Sequence, residues 1–295
     1  MRINLDVACV FASGVYMAVC RSSFFGHLGR YQSQVSSLLC VGIDPDPDVI
    51  GNPAEVYAFC ENLVKQTAPF VCAFKIQVAC FAANALENDL RRIIDFIHLN
   101  YPNVSVILDS KRGDIPSTAC WYARECFGRY CADATTVQPY LGADAILPFS
   151  SYDQNGQRGV FVLCKTSNLG SSDLQELRLE DDLPVYMSVA RMVSKFCSSY
   201  DNCGLVVGAT YPDAIAHIRL HFPDVWLLIP GVGAQGGSLE RVMDITGGYR
   251  VLITVSRSVI YPSRFFTDKN MTSADAALAI RDQINLGKLM ASDEK

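Results

Sequence analysis

Short apolar, β-branched runs recur along the chain. They are LLCVGID (38–44), VCAFKIQ (71–77), VSVILD (104–109), ATTVQPY (134–140), VFVLCKT (160–166), GLVVGAT (204–210), WLLIPGV (226–232) and VLITVSR (251–257). Each is continuous rather than alternating, the mark of a strand covered on both faces. They return at intervals of roughly 30 residues, the length of a strand-plus-helix unit. In the gaps, PAEVYAFCENLVKQT (53–67) and ENDLRRIIDFIHLN (87–100) place apolar residues three and four apart, and 117–131, 184–199, 211–221 and 274–290 behave similarly. Each such stretch predicts a helix. Ser117 and Thr118, with Pro116 just before them, read as the cap region of the 117–131 helix.

Eight strands alternating with helices point to an α/β chain folded as a single (β/α)8 barrel, with a doubly wound open sheet as the alternative. No Pro/Gly/Ser linker, low-complexity tract or repeat beyond the βα alternation divides the chain. The barrel is expected over 24–295, after an N-terminal extension at 1–23. Within that extension, VACVFASGVYMAVC (7–20) has the length of a signal-peptide core. Asp6 precedes it, Arg2 alone supplies positive charge, and no clear small-residue cleavage site follows. The run is also short for a membrane span. An extra surface helix or an extended start is therefore the expectation, with no membrane partner.

Composition narrows the classes. With 295 residues, half of them hydrophobic, the chain can bury a large core. Its formal net charge of −5 argues against a nucleic-acid partner, which calls for a basic field. The twelve cysteines are scattered, with no CxxC pair and no Cys/His zinc spacing. They read as reduced, mostly buried thiols, and so place the chain in a reducing, cytoplasmic setting.

A barrel carries its chemistry at the C-terminal ends of the strands. The polar residues there are Asp44, Lys75, Gln77, Asp109, Lys111, Asp114, Gln138, Lys165, Thr166, Ser167, Gln235 and Arg257, and on a barrel they converge on one mouth. The run DSKRGD (109–114) is the densest group. Residues two apart on a strand share a face, so Asp109 and Lys111 both point inward if the strand persists that far. Lys75 ends the preceding strand and is a neighbour of Asp109. The array reads either as solvated loop ion pairs or as a device that holds a lysine protonated beside a carboxylate. The second arrangement suits loss of CO2 followed by protonation of the resulting carbanion. The four histidines, His27, His98, His217 and His221, fall at the start of or within helices, away from the strand ends, so Ser-His-Asp chemistry and histidine-based metal binding are not expected. A second cluster, IPGVGAQGG (229–237) with Arg257, occupies the loops after strands 7 and 8, where barrels often bind phosphate through backbone N–H groups and a bidentate arginine.

Taken in order over roughly 35–262, LLCVGIDPDP, FKIQ, ILDSKRGDIPSTA, TTVQPYLGADAILPF, LCKTSN, GLVVGATYP, IPGVGAQGG and VSRSVIY resemble the orotidine 5'-phosphate decarboxylase family, and specifically its second, longer subgroup. The resemblance implies decarboxylation of orotidine 5'-phosphate to UMP, without cofactor or metal. It implies a charged array of Lys75, Asp109, Lys111 and Asp114, with Lys111 donating a proton to C6 and Asp109 standing against the substrate carboxylate. It implies ribose contacts from Asp44 and Thr118, a pyrimidine contact from Ser167 and a phosphate grip from Gln235 and Arg257. It also implies a homodimer in which Asp114 and Thr118 act across the interface. In some organisms the activity is fused to an orotate phosphoribosyltransferase, so the chain can be one part of a longer protein. Ser110, Gln138 and Leu169 stand where other residues are more usual, which bears on fine positioning. Two rivals remain open. One is a metal-dependent sugar-phosphate decarboxylase or lyase of the same superfamily, in which an acid takes the place of Lys75. The other is a barrel that binds nucleotides without catalysis.

Overall fold

The computed structural model describes residues 23–293, apart from Gln154 and Ala234. The expected extension at 1–23 lies outside the described residues save for Ser23. Eight parallel strands close on themselves in sequence order: β1 (Leu39–Ile43), β2 (Ala73–Gln77), β3 (Ser105–Arg112), β4 (Ala134–Val137), β5 (Gly159–Lys165), β6 (Cys203–Val207), β7 (Trp226–Pro230) and β8 (Val251–Val255). Pairing of β8 with β1, through Leu39 opposite Ile253, closes the barrel and excludes the open sheet.

The longer helices are α1 (Phe24–Val35), α2 (Val56–Thr67), α3 (Glu87–Asn100), α4 (Pro116–Ala123), α5 (Ala143–Ser150), α6 (Val185–Tyr200), α7 (Pro212–His221), α8 (Leu239–Thr246) and α9 (Ser273–Asp293). Some of them carry side-chain caps at their starts. The Ser23 hydroxyl accepts from the Gly26 N–H to open α1, and the Ser238 hydroxyl accepts from Arg241 N–H to open α8. Gly247, at φ +57, ends α8 in the left-handed region.

Several boundaries differ from the sequence reading. The 53–67 helix opens as a 3-10 turn at Pro53–Glu55. The 117–131 helix stops at Ala123 and continues as a π-helical turn over Arg124–Arg129. Ile115 occupies its N-cap position and Pro116 its first helical position, so Ser117 and Thr118 lie in the first turn and cap nothing. The fourth strand ends at Val137, while β3 runs three residues beyond Asp109, to Arg112. No helix among the described residues is long and apolar enough to cross a membrane. Cys40, Cys60, Cys72, Cys126 and Cys164 are buried thiols, as the scattered pattern implied.

Strand geometry sends alternate residues into the barrel. The lower inward positions are apolar: Cys40, Ala73, Ile107, Ala134, Phe161 and Leu252 form one buried cluster with Phe24, Phe25 and Leu28 of α1. Helix α1 thus plugs the N-terminal end. The Phe25 ring stacks on Trp226 at 5.0 Å and 9° and meets Phe161 edge-on at 5.5 Å and 84°. Gly159 makes room for the plug, because any side chain there would overlap the Phe24 ring. A second, larger cluster fills the layer between strands and helices. Two residues further along β2, β3, β4 and β8 the inward positions turn polar, and Lys75, Asp109, Thr136 and Thr254 stand above the apolar floor.

The plug is a stability element at the end of the barrel away from those polar residues. Phe25→Ala is expected to lower the unfolding free energy by about 3–5 kcal/mol, the usual cost of emptying a buried aromatic site. Urea melts of the two proteins measure this. A loss under about 1 kcal/mol, typical of a surface change, would show that the plug does not hold the barrel closed.

Candidate active site

Above the apolar floor lies a cavity of about 1000 Å³, lined by the C-terminal ends of the strands and the loops after them. Its floor is an ion cluster. Lys75 Nζ donates to Asp109 Oδ2 at 2.6 Å, and Lys111 Nζ donates to Asp109 Oδ1 at 2.7 Å. Gln77 Nε2 donates to Oδ2 at 3.3 Å and Thr136 Oγ1 to Oδ1 at 2.8 Å. The side chains of Lys75 and Asp109 are 8% and 7% exposed, whereas Lys111 is 45% exposed and reaches into the cavity. Asp44 Oδ1 stands 4.0 Å from Lys75 Nζ, buried and without a hydrogen-bond partner.

Burial is the largest single influence on both inner charges and opposes each of them. The surrounding charges together outweigh it. Asp109, and then Asp44, hold the Lys75 ammonium above the ordinary lysine range. Lys75, and then Lys111, hold the Asp109 carboxyl below the ordinary carboxylate range. Both stay charged throughout the physiological range.

The strands reach this arrangement through an irregularity. Leu108 pairs with Thr135 and Arg112 with Val137, so three residues of β3 (109–111) face the single residue Thr136. This is a β-bulge, and Lys111 takes φ +47 within it, rare for a residue with a side chain. Plain alternation placed Asp109 and Lys111 on one face; the bulge is how the chain does so.

The opposite rim is made by the loops after β5, β7 and β8. Ser167 is held by Thr210, whose hydroxyl donates to Ser167 O at 3.1 Å, and by Gly208, where an added Cβ would come 2.8 Å from Ser167 Cβ. Thr166 N–H donates to Gln175 Oε1, and Gln175 Nε2 donates back to Thr166 Oγ1, both at 2.8 Å. Gly231, at φ +95, turns the β7 loop so that Gln235 lies beside it. The amides of Gly233, Gly236 and Gly237 donate to Gly237 O, Gly233 O and Gly231 O. Those three N–H groups close the loop on itself, so an anion at this rim does not find them unpaired. Gln235 and Arg257 both line the cavity, Arg257 opening a short helical turn (Arg257–Ile260) after β8.

The structure therefore gathers Asp44, Lys75, Asp109, Lys111, Ser167, Gln235 and Arg257 around one cavity. It leaves Asp114 and Thr118 outside the cavity lining: the Asp114 carboxylate accepts from Ile115 N–H at 2.7 Å, and Thr118 lies in the first turn of α4. Two residues placed at the mouth by the sequence are elsewhere. Gln138 is occupied with the backbone of Gly113 and Tyr140. Lys165 is fully buried outside the cavity, its Nζ on Ser171 Oγ at 2.6 Å and Glu176 Oε1 at 2.9 Å. Thr136, Thr254, Tyr261 and Arg264 line the cavity and were not singled out. Thr136 was findable: it lies two residues after Ala134, on the inward face. Among the described residues no three His, Cys, Asp or Glu side chains are grouped to hold a metal ion.

Comparison with known proteins identifies the family. Residues 37–261 match the family model described as "Orotidine 5'-phosphate decarboxylase / HUMPS family". A Ralstonia pickettii orotidine 5'-phosphate decarboxylase is 47% identical over 263 residues, covering 85% of this chain and 93% of that one. A solved Toxoplasma gondii structure, assigned as an orotidine-monophosphate decarboxylase, superposes with a TM-score of 0.84 at 34% identity, over 92% of this chain and 98% of that one. Leishmania donovani UMP synthase superposes with a TM-score of 0.80 at 37% identity, over 91% of this chain and 57% of that longer one. By family match, sequence identity and barrel superposition alike, this chain belongs to the orotidine 5'-phosphate decarboxylase / HUMPS family.

Proposed function

We propose that this chain decarboxylates orotidine 5'-phosphate to UMP and CO2, a step of pyrimidine biosynthesis, with the residues of the second, longer subgroup of its family. One arrangement carries the reading: a buried carboxylate, Asp109, within hydrogen-bond distance of two lysines at the floor of the cavity. The substrate carboxylate lies against Asp109. Two like charges meet where little water screens them, and the repulsion is relieved as CO2 leaves. The bond from C6 to the carboxylate breaks and its electron pair stays on C6. Lys111 Nζ then gives its proton to C6, forming the C–H bond of UMP, and recovers a proton from solvent. Both electrons of the broken bond end in the new one, so the step needs no electron sink and no cofactor is assigned. Lys75 remains charged and keeps Asp109 ionised.

The remaining contacts hold the substrate in register. The unpartnered Asp44 Oδ1 is an acceptor for a ribose hydroxyl. Ser167 contacts the pyrimidine, and Gln235 and Arg257 grip the 5'-phosphate across the mouth. Binding energy from that remote phosphate can stabilise the arrangement in which the array acts. The metal-dependent sugar-phosphate reading is disfavoured by Lys75, whose ammonium already provides the cation beside Asp109.

The working unit on this reading is a homodimer. Asp114 and Thr118 project from α4 and the loop before it, outside their own chain's cavity, and complete the partner's. Large apolar side chains surround them at the surface: Ile115 is 57% exposed, Trp121 66% and Tyr140 81%. A two-fold axis would cover this patch with a second copy and make the exchange reciprocal. The place of work is the cytoplasm, where thiols such as Cys72 and Cys164 stay reduced.

Three outcomes are expected. Lys111→Ala should lose kcat by at least about 10³-fold with the circular dichroism spectrum unchanged, since the general acid goes and the core does not. Activity within about tenfold of wild type would remove Lys111 from that role, and loss of wild-type activity in EDTA would favour the metal-dependent relatives. Arg257→Ala should weaken substrate and UMP binding by about 1.5–3 kcal/mol, the worth of a charge-assisted hydrogen bond; an unchanged KM together with an unchanged kcat/KM would take Arg257 out of the site. Mixing inactive Lys111→Ala and Asp114→Ala chains should restore a substantial fraction of activity, because one site of each mixed dimer carries neither lesion. Heterodimers seen by native mass spectrometry but without activity would rule out the shared site.

A further inference from the structure

We propose that Thr136 is a positioning residue for the proton donor: its hydroxyl locks the Lys111 backbone to the Asp109 carboxylate and so aims the Lys111 ammonium. This rests on the reading of Lys111 as the donor. Thr136 is 1% exposed and sits on the inward face of β4 opposite the β3 bulge. Lys111 N–H donates to Thr136 Oγ1 at 3.0 Å, and Thr136 Oγ1 donates to Asp109 Oδ1 at 2.8 Å. Lys111 Nζ donates to the same Oδ1 at 2.7 Å. A hydroxyl has one proton to give and lone pairs to receive with. The carboxylate takes the proton and the amide takes a lone pair, so both capacities are used and the direction of each bond is set.

The result is a closed circuit from the Lys111 amide through Thr136 and Asp109 to the Lys111 ammonium. It bears on the least settled part of the array. Lys75 is almost wholly buried at the cavity floor, but Lys111 has a long, flexible, half-exposed side chain on a backbone held at φ +47. Such a conformation persists only when its surroundings enforce it. Ser110 secures the bulge from the other side, its hydroxyl within 2.8 Å of Thr135 Oγ1 and donating to Thr136 O at 3.1 Å. Ser110 does not touch the carboxylate. Thr136 is the group that ties the bulge to the charges.

The test compares Thr136→Val, which keeps the shape and loses the hydroxyl, with Thr136→Ser, which keeps the hydroxyl. Turnover of orotidine 5'-phosphate and the affinity for UMP are measured for both, alongside Lys111→Ala. Thr136→Val is expected to lose about 10–100-fold in kcat, in line with the cost of misplacing a reacting group by about 1 Å. Its UMP affinity should stay within about twofold of wild type, because the phosphate grip is across the mouth; Thr136→Ser should recover to within about threefold in kcat. Thr136→Cys, of similar volume and a weak hydrogen bonder, should fall with Thr136→Val and replaces it if the valine protein does not fold. Wild-type kcat in Thr136→Val overturns the proposal, as does a serine variant as impaired as the valine one, or a parallel loss of UMP affinity, which would indicate packing alone. If Lys111→Ala itself keeps its activity, it is the assignment of the donor that falls.

Discussion

The structure depends on one buried carboxylate, Asp109. A charge taken out of water costs several kcal/mol unless opposite charges and hydrogen bonds replace the solvent around it. Here the replacement comes from four side chains on three strands: Lys75 and Gln77 on β2, Lys111 on β3 and Thr136 on β4. Removing any one cation would leave the carboxylate under-compensated. The strand register, the bulge and the apolar floor are the conditions under which these four donors converge. The compensation is nonetheless uneven. Lys75 and Asp109 are nearly covered where they meet the cavity, whereas the Lys111 side chain is 45% exposed and extends furthest into it.

The barrel separates what must be rigid from what must meet the substrate. Its lower half is dry and aromatic, closed by Phe24 and Phe25 of α1. That floor gives Lys75 and Asp109 their low-polarity surroundings from below, which strengthens every interaction among them. The upper rim is built from loops that satisfy their own backbones first. The glycine loop after β7 consumes three of its amides in closing on itself and offers Gln235 at its tip. That self-bonded loop holds the Gln235 side chain at the cavity rim.

Much of this could be read from the sequence. Continuous β-branched runs at βα spacing identify eight strands, and their polar ends identify the mouth. Lys75, Asp109, Lys111, Ser167, Gln235 and Arg257 were all named that way. What stayed hidden are partnerships between strands. Nothing local in TTV (135–137) says that Thr136 faces three residues of its neighbour, since that number is set by a bulge in the pairing. Nothing local in PGVGAQGG says that its amides bond one another. The cap expected at Ser117 and Thr118 failed for a simpler reason: Pro116, with its φ already fixed, is itself a good first helical residue, and it moves the boundary back to Ile115.

Two lysines show how far pairing irregularities decide roles. Lys111 and Lys165 both lie near the C-terminal ends of apolar strands, two residues beyond an inward-facing neighbour, Asp109 and Leu163. Simple alternation sends both into the barrel. On β3 the bulge keeps Lys111 on the inward side by turning its backbone to φ +47. On β5 the register slips between Leu163 and Lys165, since Leu163 pairs with Val206 and Lys165 with Val207. That slip carries Lys165 out of the cavity and under the following loop. There its ammonium meets Ser171 and Glu176 and lies 3.8 Å from the centre of the Tyr211 ring. The same side chain faces the cavity on one strand and braces a loop on the other. As scaffold it still serves the site, because the loop it anchors is the one that presents Ser167. A residue type at a strand end thus specifies a capacity for charge, and the register of the neighbouring strand decides whether that charge faces the substrate or the fold.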